Sequence, residues 1–84
     1  MHKGGLTKQQ IAMRAKIRRL FPRKRIRVSL YYQPNATYYT ATIYLLGQVD
    51  KADGERKLKL SGLFTGVCFH GMLDHFDVFW KRVK

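Results

Sequence analysis

The chain has 84 residues, 45% of them hydrophobic and 13% aromatic, which suits one small domain and is too apolar for a disordered tail. No run approaches the roughly 18 apolar residues of a membrane span, and no charged stretch leads into an apolar signal core, so neither is expected. Seventeen Lys and Arg against five acids give a net charge of +12, well above the magnitude of about 2–8 that suits a small soluble domain.

The charge is unevenly placed. Residues 1–49 hold ten basic residues and no acid, whereas Asp50, Asp53, Glu55, Asp74 and Asp77 all fall in the remaining 35. Such asymmetry implies a polyanionic partner: nucleic acid, an anionic membrane or an acidic protein face. The lone Cys68 excludes an internal disulfide framework and a cysteine-based zinc site, and fits the cytoplasm. No glycine-rich phosphate loop or dinucleotide fingerprint is present, and no cofactor is expected.

Residues 1–5, with Gly4 and Gly5, read as a flexible N-terminal arm, leaving 6–84 as a single α+β domain. Thr7-Lys8-Gln9-Gln10 is a capping box, with Leu6 and Ile11 at the hydrophobic-staple positions. Met13, Ile17 and Leu20 follow at helical spacing, and Phe21-Pro22 ends the segment. A basic amphipathic helix is therefore expected over residues 7–21, with Arg14 and Arg18 one turn apart and Arg19 further round.

Residues 24–32 alternate: Ile26, Val28, Leu30 and Tyr32 on one face, Arg25, Arg27, Ser29 and Tyr31 on the other. Pro34 and Asn35 mark a turn, and residues 37–46 read as a second strand. Closing this hairpin over 33–36 pairs Leu30 with Tyr39, Val28 with Ala41 and Ile26 with Ile43. Asp53-Gly54 reads as part of a loop, and residues 56–64 alternate as a third strand with Leu58, Leu60 and Phe64 on its inner face. Gly66 to His70 reads as a strand extension or a loose turn, with Cys68 packed inside.

Met72, Leu73, Phe76, Phe79, Trp80 and Val83 match a helical period over 72–83, with Asp74 and Asp77 early and Lys81 and Arg82 late, as the helix dipole prefers. The expected order is αβββα: a three-stranded antiparallel sheet with both helices on one face. That order resembles double-stranded-RNA-binding domains in topology alone. The family's glycine-proline-x-histidine loop is absent, and Asp74 and Asp77 stand where it carries lysines, so no functional residue carries over. Small RNA-cleaving bacterial toxins of the HicA type share the order but need a histidine on the sheet, and the strands expected here contain none.

The open sheet face would then carry Arg25, Arg27, Tyr31, Tyr38, Tyr44, Lys57 and Lys59, besides Ser29, Thr40, Thr42 and Ser61. Cations neutralise phosphates and aromatic rings stack on unpaired bases. The expected function is a small basic nucleic-acid-binding module, for DNA or RNA, that contacts phosphates through Arg14, Arg18, Arg19, Arg23, Arg25 and Arg27. The alternative is an accessory or inhibitor protein docking on an acidic or nucleic-acid-bound face of a larger complex. A homodimer through the open sheet would be a further use of that face. Catalysis and metal binding are not expected. The only candidate chemistry lies in His70, Asp74, His75 and Asp77, where a helix reaching back to His70 would put it one turn from Asp74.

Overall fold

In the computed structural model, residues 5–22, 25–46, 50–70 and 74–83 are described. The Thr7 box forms: its hydroxyl accepts from the Gln10 N–H and the Gln10 side chain accepts from the Thr7 N–H. Helix α1, Lys8–Leu20, buries Gln10, Met13 and Ile17, and Phe21 at its C-cap is also buried. Ile11 is exposed, so the expected staple does not bury it.

Strands β1, Ile26–Leu30, and β2, Tyr38–Leu45, form the expected antiparallel hairpin with the expected faces. Ile26 pairs with Leu45, Val28 with Ile43 and Leu30 with Ala41, a register two residues from the expected one. The turn is longer than the sequence suggested, and a shift of two preserves side-chain parity, so the apolar set still faces the core. Tyr32 is not part of that set: it lies beyond β1 and is 63% exposed.

The third strand expected over 56–64 does not form: residues 56–60 belong to helix α2, Lys51–Leu60, and 61–64 follow its end outside any helix or strand. Asp50 caps it, accepting from the Ala52 and Asp53 N–H groups at 3.0 and 3.2 Å. Ion pairs at helical spacing, Asp53 with Arg56 and Lys57 and Glu55 with Lys59, reinforce it. Gly54 lies buried inside the helix, where a Cβ would be in ordinary contact with the Phe21 and Phe76 rings. Gly62, at φ 73°, supplies the left-handed residue just past the Ser61 C-cap.

The helix expected over 72–83 is likewise replaced. Residues Gly66–His70 form β3 and His75–Lys81 form β4. Phe76, Val78 and Trp80 alternate inward with His75, Asp77 and Phe79 outward, the period of a strand. Met72 and Leu73 lie outside the described residues. The element order is α-β-β-α-β-β, and the four strands lie in the order β1-β2-β4-β3, all neighbours antiparallel. The topological likeness to both RNA-related groups is thereby removed, and the sheet does carry histidines.

One core joins Met13, Ile17 and Phe21 of the first helical segment and Leu58 of α2 to Val28, Tyr39, Ala41, Ile43, Leu45, Phe76, Val78 and Trp80. These strand residues share one side of the sheet, so both helices cover that side. Among the described residues no helix packs on the other. No described helix is long and apolar enough to cross a membrane.

Candidate functional site

The uncovered sheet face is ordered by its register. Arg27, Tyr44, His75 and His70 form one cross-strand row, and Ser29, Thr42, Asp77 and Cys68 form the next. Tyr38 faces Lys81 at the far end of the β2–β4 pair. Strand parity brings these side chains to one surface although they come from four separate strands.

Within the first row the rings are in succession. The Arg27 guanidinium carbon lies 4.6 Å from the Tyr44 ring centroid, a cation–π contact. Tyr44 is 5.5 Å from His75, and His75 stacks on His70 at 4.8 Å. In the second row Thr42 Oγ1 donates to Asp77 Oδ1 at 2.8 Å. Tyr31 Oη lies 2.5 Å from the same Thr42 oxygen. Because an ionised carboxylate only accepts and the Thr42 hydroxyl has a single proton, Tyr31 must be the donor to Thr42. The opposite Asp77 oxygen, Oδ2, is 2.9 Å from His70 Nε2 and 3.9 Å from His75 Nε2.

The expected phosphate contacts divide between two places. Arg14, Arg18 and Arg19 lie on α1, which packs on β1, while Arg25 and Arg27 lie at and on edge strand β1. Arg18, Arg19, Arg25 and Arg27 are exposed and Arg14 is half-buried. Arg23 lies outside the described residues. Tyr31 and Tyr38 are 41% and 46% exposed on the open face. Tyr44 is half-buried between Arg27 and His75, with the guanidinium over its ring and the imidazole tilted against it.

Lys57 and Lys59 are not on this face. Helix α2 carries them on the opposite side of the sheet, where Lys57 pairs with Asp53 and lies over the Phe21 ring, and Lys59 pairs with Glu55. Cys68 is exposed rather than packed inside. His70 and Asp74 are not one helical turn apart: His70 instead meets Asp77 across the β3–β4 hairpin, and Asp74 pairs with Lys51.

All five acidic residues are described, and each is engaged. Asp50 caps α2, Asp53 and Glu55 pair along it, Asp74 pairs with Lys51, and Asp77 sits among Thr42, His70 and His75. Arg56 beside Asp53 holds its carboxyl below the usual range, against a smaller opposing effect of burial and with help from Lys57. Among the described residues no side-chain carboxylate pairs with Arg14, Arg18, Arg19, Arg25 or Arg27. The result is a charge-segregated molecule, with acids on and at the cap of α2 and on or just before β4, and unneutralised arginines on α1 and on or just before β1.

The sequence reading missed Lys81, beside Tyr38, and the assembly of His70, His75 and Asp77. The signal for the latter was present: His75, Asp77 and Phe79 alternate with Phe76, Val78 and Trp80, and the antiparallel pairing of β3 with β4 sets His70 opposite His75. Comparison with protein-family models, curated protein sequences and solved structures finds no match.

Proposed function

We propose that the protein is a nucleic-acid-binding module rather than an enzyme, taking phosphates on the arginines of α1 and β1 and unpaired bases on the Tyr31–Tyr38 end of the open sheet face. The observation that carries this reading is the segregation of charge: five arginines, on α1 and on or just before β1, have no carboxylate partner among the described residues. Unpaired arginines repel one another, and a polyphosphate relieves that repulsion while releasing its condensed counterions.

The exposed tyrosines favour nucleic acid over an acidic protein face. Arginines alone read negative charge of either kind, whereas Tyr31 and Tyr38, with Lys81 beside Tyr38, supply ring surface for bases next to cations for the backbone. The module acts in the cytoplasm on this reading.

Fluorescence anisotropy with single-stranded and duplex oligonucleotides tests it. Tyr38→Ala should weaken single-strand binding by about 1–3 kcal/mol per stacked base and duplex binding by less. Tyr31→Phe keeps the ring and removes only the hydroxyl, so it should bind as wild type does. Equal losses on both substrates for Tyr38→Ala would move the contact off the sheet and onto α1. Binding to acidic proteins with no binding to either oligonucleotide would favour the accessory-protein alternative.

A further inference from the structure

We propose that His70, His75 and Asp77 form a divalent transition-metal site on the open sheet face, of the kind that takes Zn²⁺ or Co²⁺. The inference is independent of nucleic-acid binding. One ligand atom from each residue lies within 4.8 Å of the other two, and the two histidine–carboxylate separations are 2.9 and 3.9 Å. An ion held at about 2.0–2.2 Å from each ligand needs ligand atoms about 3–3.6 Å apart, so small side-chain rotations close the set. Two imidazoles and one carboxylate are a donor set suited to borderline divalent metals.

The surroundings are those of an oriented ligand. Asp77 would give Oδ2 to the metal, because its Oδ1 is held by the Thr42 hydroxyl at 2.8 Å. Thr42 is itself buried and takes a hydrogen bond from Tyr31, so the carboxylate is fixed from behind by a two-member chain. Asp77 is the one acid placed on the sheet itself, the others lying in α2, at its cap or in the turn before β4. His75 is nearly buried, and its Nδ1 has no hydrogen-bond partner. Its other nitrogen, Nε2, lies 3.9 Å from Asp77 Oδ2, beyond hydrogen-bond range and so placed for an ion shared with that carboxylate.

Three protein ligands leave further coordination positions, and the exposure of His70 opens them to solvent. That is the pattern of an ion able to take an exogenous oxygen donor rather than of a closed structural site.

The test is titration of the metal-stripped full chain with Co²⁺, followed by visible absorption, and with Zn²⁺ by calorimetry. Wild type should bind one ion per chain. His70→Gln, His75→Ala and Asp77→Asn should each weaken binding at least about tenfold, and Thr42→Val by about 10–100-fold through the loosened carboxylate. His2→Ala should leave binding unchanged. His70 is 43% exposed at the side chain on an edge strand, so His70→Gln keeps its fold and answers even if His75→Ala does not. No Co²⁺ band, or equal affinity in wild type and His70→Gln, overturns the site and leaves an ordinary hydrogen-bonded His–Asp cluster.

Discussion

Thr42 and Asp77 face each other across the β2–β4 pair and are joined by a 2.8 Å hydrogen bond. The bond uses one carboxylate oxygen and thereby turns the other towards His70. A threonine that is 4% exposed on an otherwise open sheet face is therefore a part of the site's framework, shielded by the groups it organises.

Thr42→Val keeps the shape and removes both hydrogen bonds, leaving Asp77 and the Tyr31 hydroxyl each short of a partner. Urea unfolding should show a loss of about 1–3 kcal/mol. Thr42→Ser, which retains the hydroxyl, should recover most of it.

The packing of β4 and α2 gives opposite outcomes for two apolar residues. Phe76 is fully buried and Phe76→Ala should cost about 3–5 kcal/mol, enough to unfold much of a small domain. Leu60 is 79% exposed at the end of α2, so Leu60→Ala should stay within about 0.5 kcal/mol of wild type. Had residues 56–64 formed a strand, Leu60 would be core and its truncation severe. Thermal melts of the two variants distinguish these arrangements.

A Cβ on Gly54 would lie 3.4 Å from Phe76 Cε2 and 3.5 Å from Phe21 Cε1, ordinary contact distances. Gly54→Ala should accordingly stabilise the protein by about 0.5–1 kcal/mol through helix propensity. Gly54→Leu would drive into the same rings and should destabilise by about 1–3 kcal/mol. Chemical denaturation of both variants checks the pair.

Asp53 should titrate below the ordinary carboxylate range because Arg56, and more weakly Lys57, favours its charged form. A depressed folded-state value means that its contribution is present above the unfolded carboxyl's value and is lost as pH falls through the lower, folded one. A pH titration of the side-chain carboxyl signals by NMR should find Asp53 low, and Arg56→Gln should return it towards the usual range.

The parts of this fold written in local sequence were the legible ones. The Thr7–Gln10 box starts α1, and the alternation from Ile26 to Leu30 set the inner and outer faces of the first hairpin even though its longer turn moved the pairing by two. Two segments were read with the wrong period because each fits both. Lys57-Leu58-Lys59-Leu60 alternates like a strand, and Asp53-Gly54 resembles a turn, yet the Asp50 cap and the burial of Gly54 against Phe21 and Phe76 make it helical. Phe76, Phe79, Trp80 and Val83 fit a helical stripe, but Phe76, Val78 and Trp80 fit a strand as well. The sheet decides, because β4 is the strand that joins β2 to β3.

The candidate site follows from those two exchanges. The arginines of α1 and β1 were legible as charge, and Tyr31 and Tyr38 as outward strand positions. Lys57 and Lys59 left the sheet when their strand became a helix, and His70, His75 and Asp77 met only because the last helix became a hairpin. A contact between residues on two paired strands depends on topology, which the local pattern does not contain.

The salt dependence of oligonucleotide binding tests the phosphate-binding reading most directly. With roughly four to six phosphate contacts on duplex, log K should fall linearly with log salt with a slope of about −4 to −5. The double variant Arg25→Ala/Arg27→Ala should make that slope shallower by about 1–2 and leave sequence preference unchanged, since phosphate contacts position the protein without reading bases. Failure of the wild type to retain any oligonucleotide at about 50 mM salt, where phosphate contacts are strong, or a slope indistinguishable between wild type and the double variant, would contradict it.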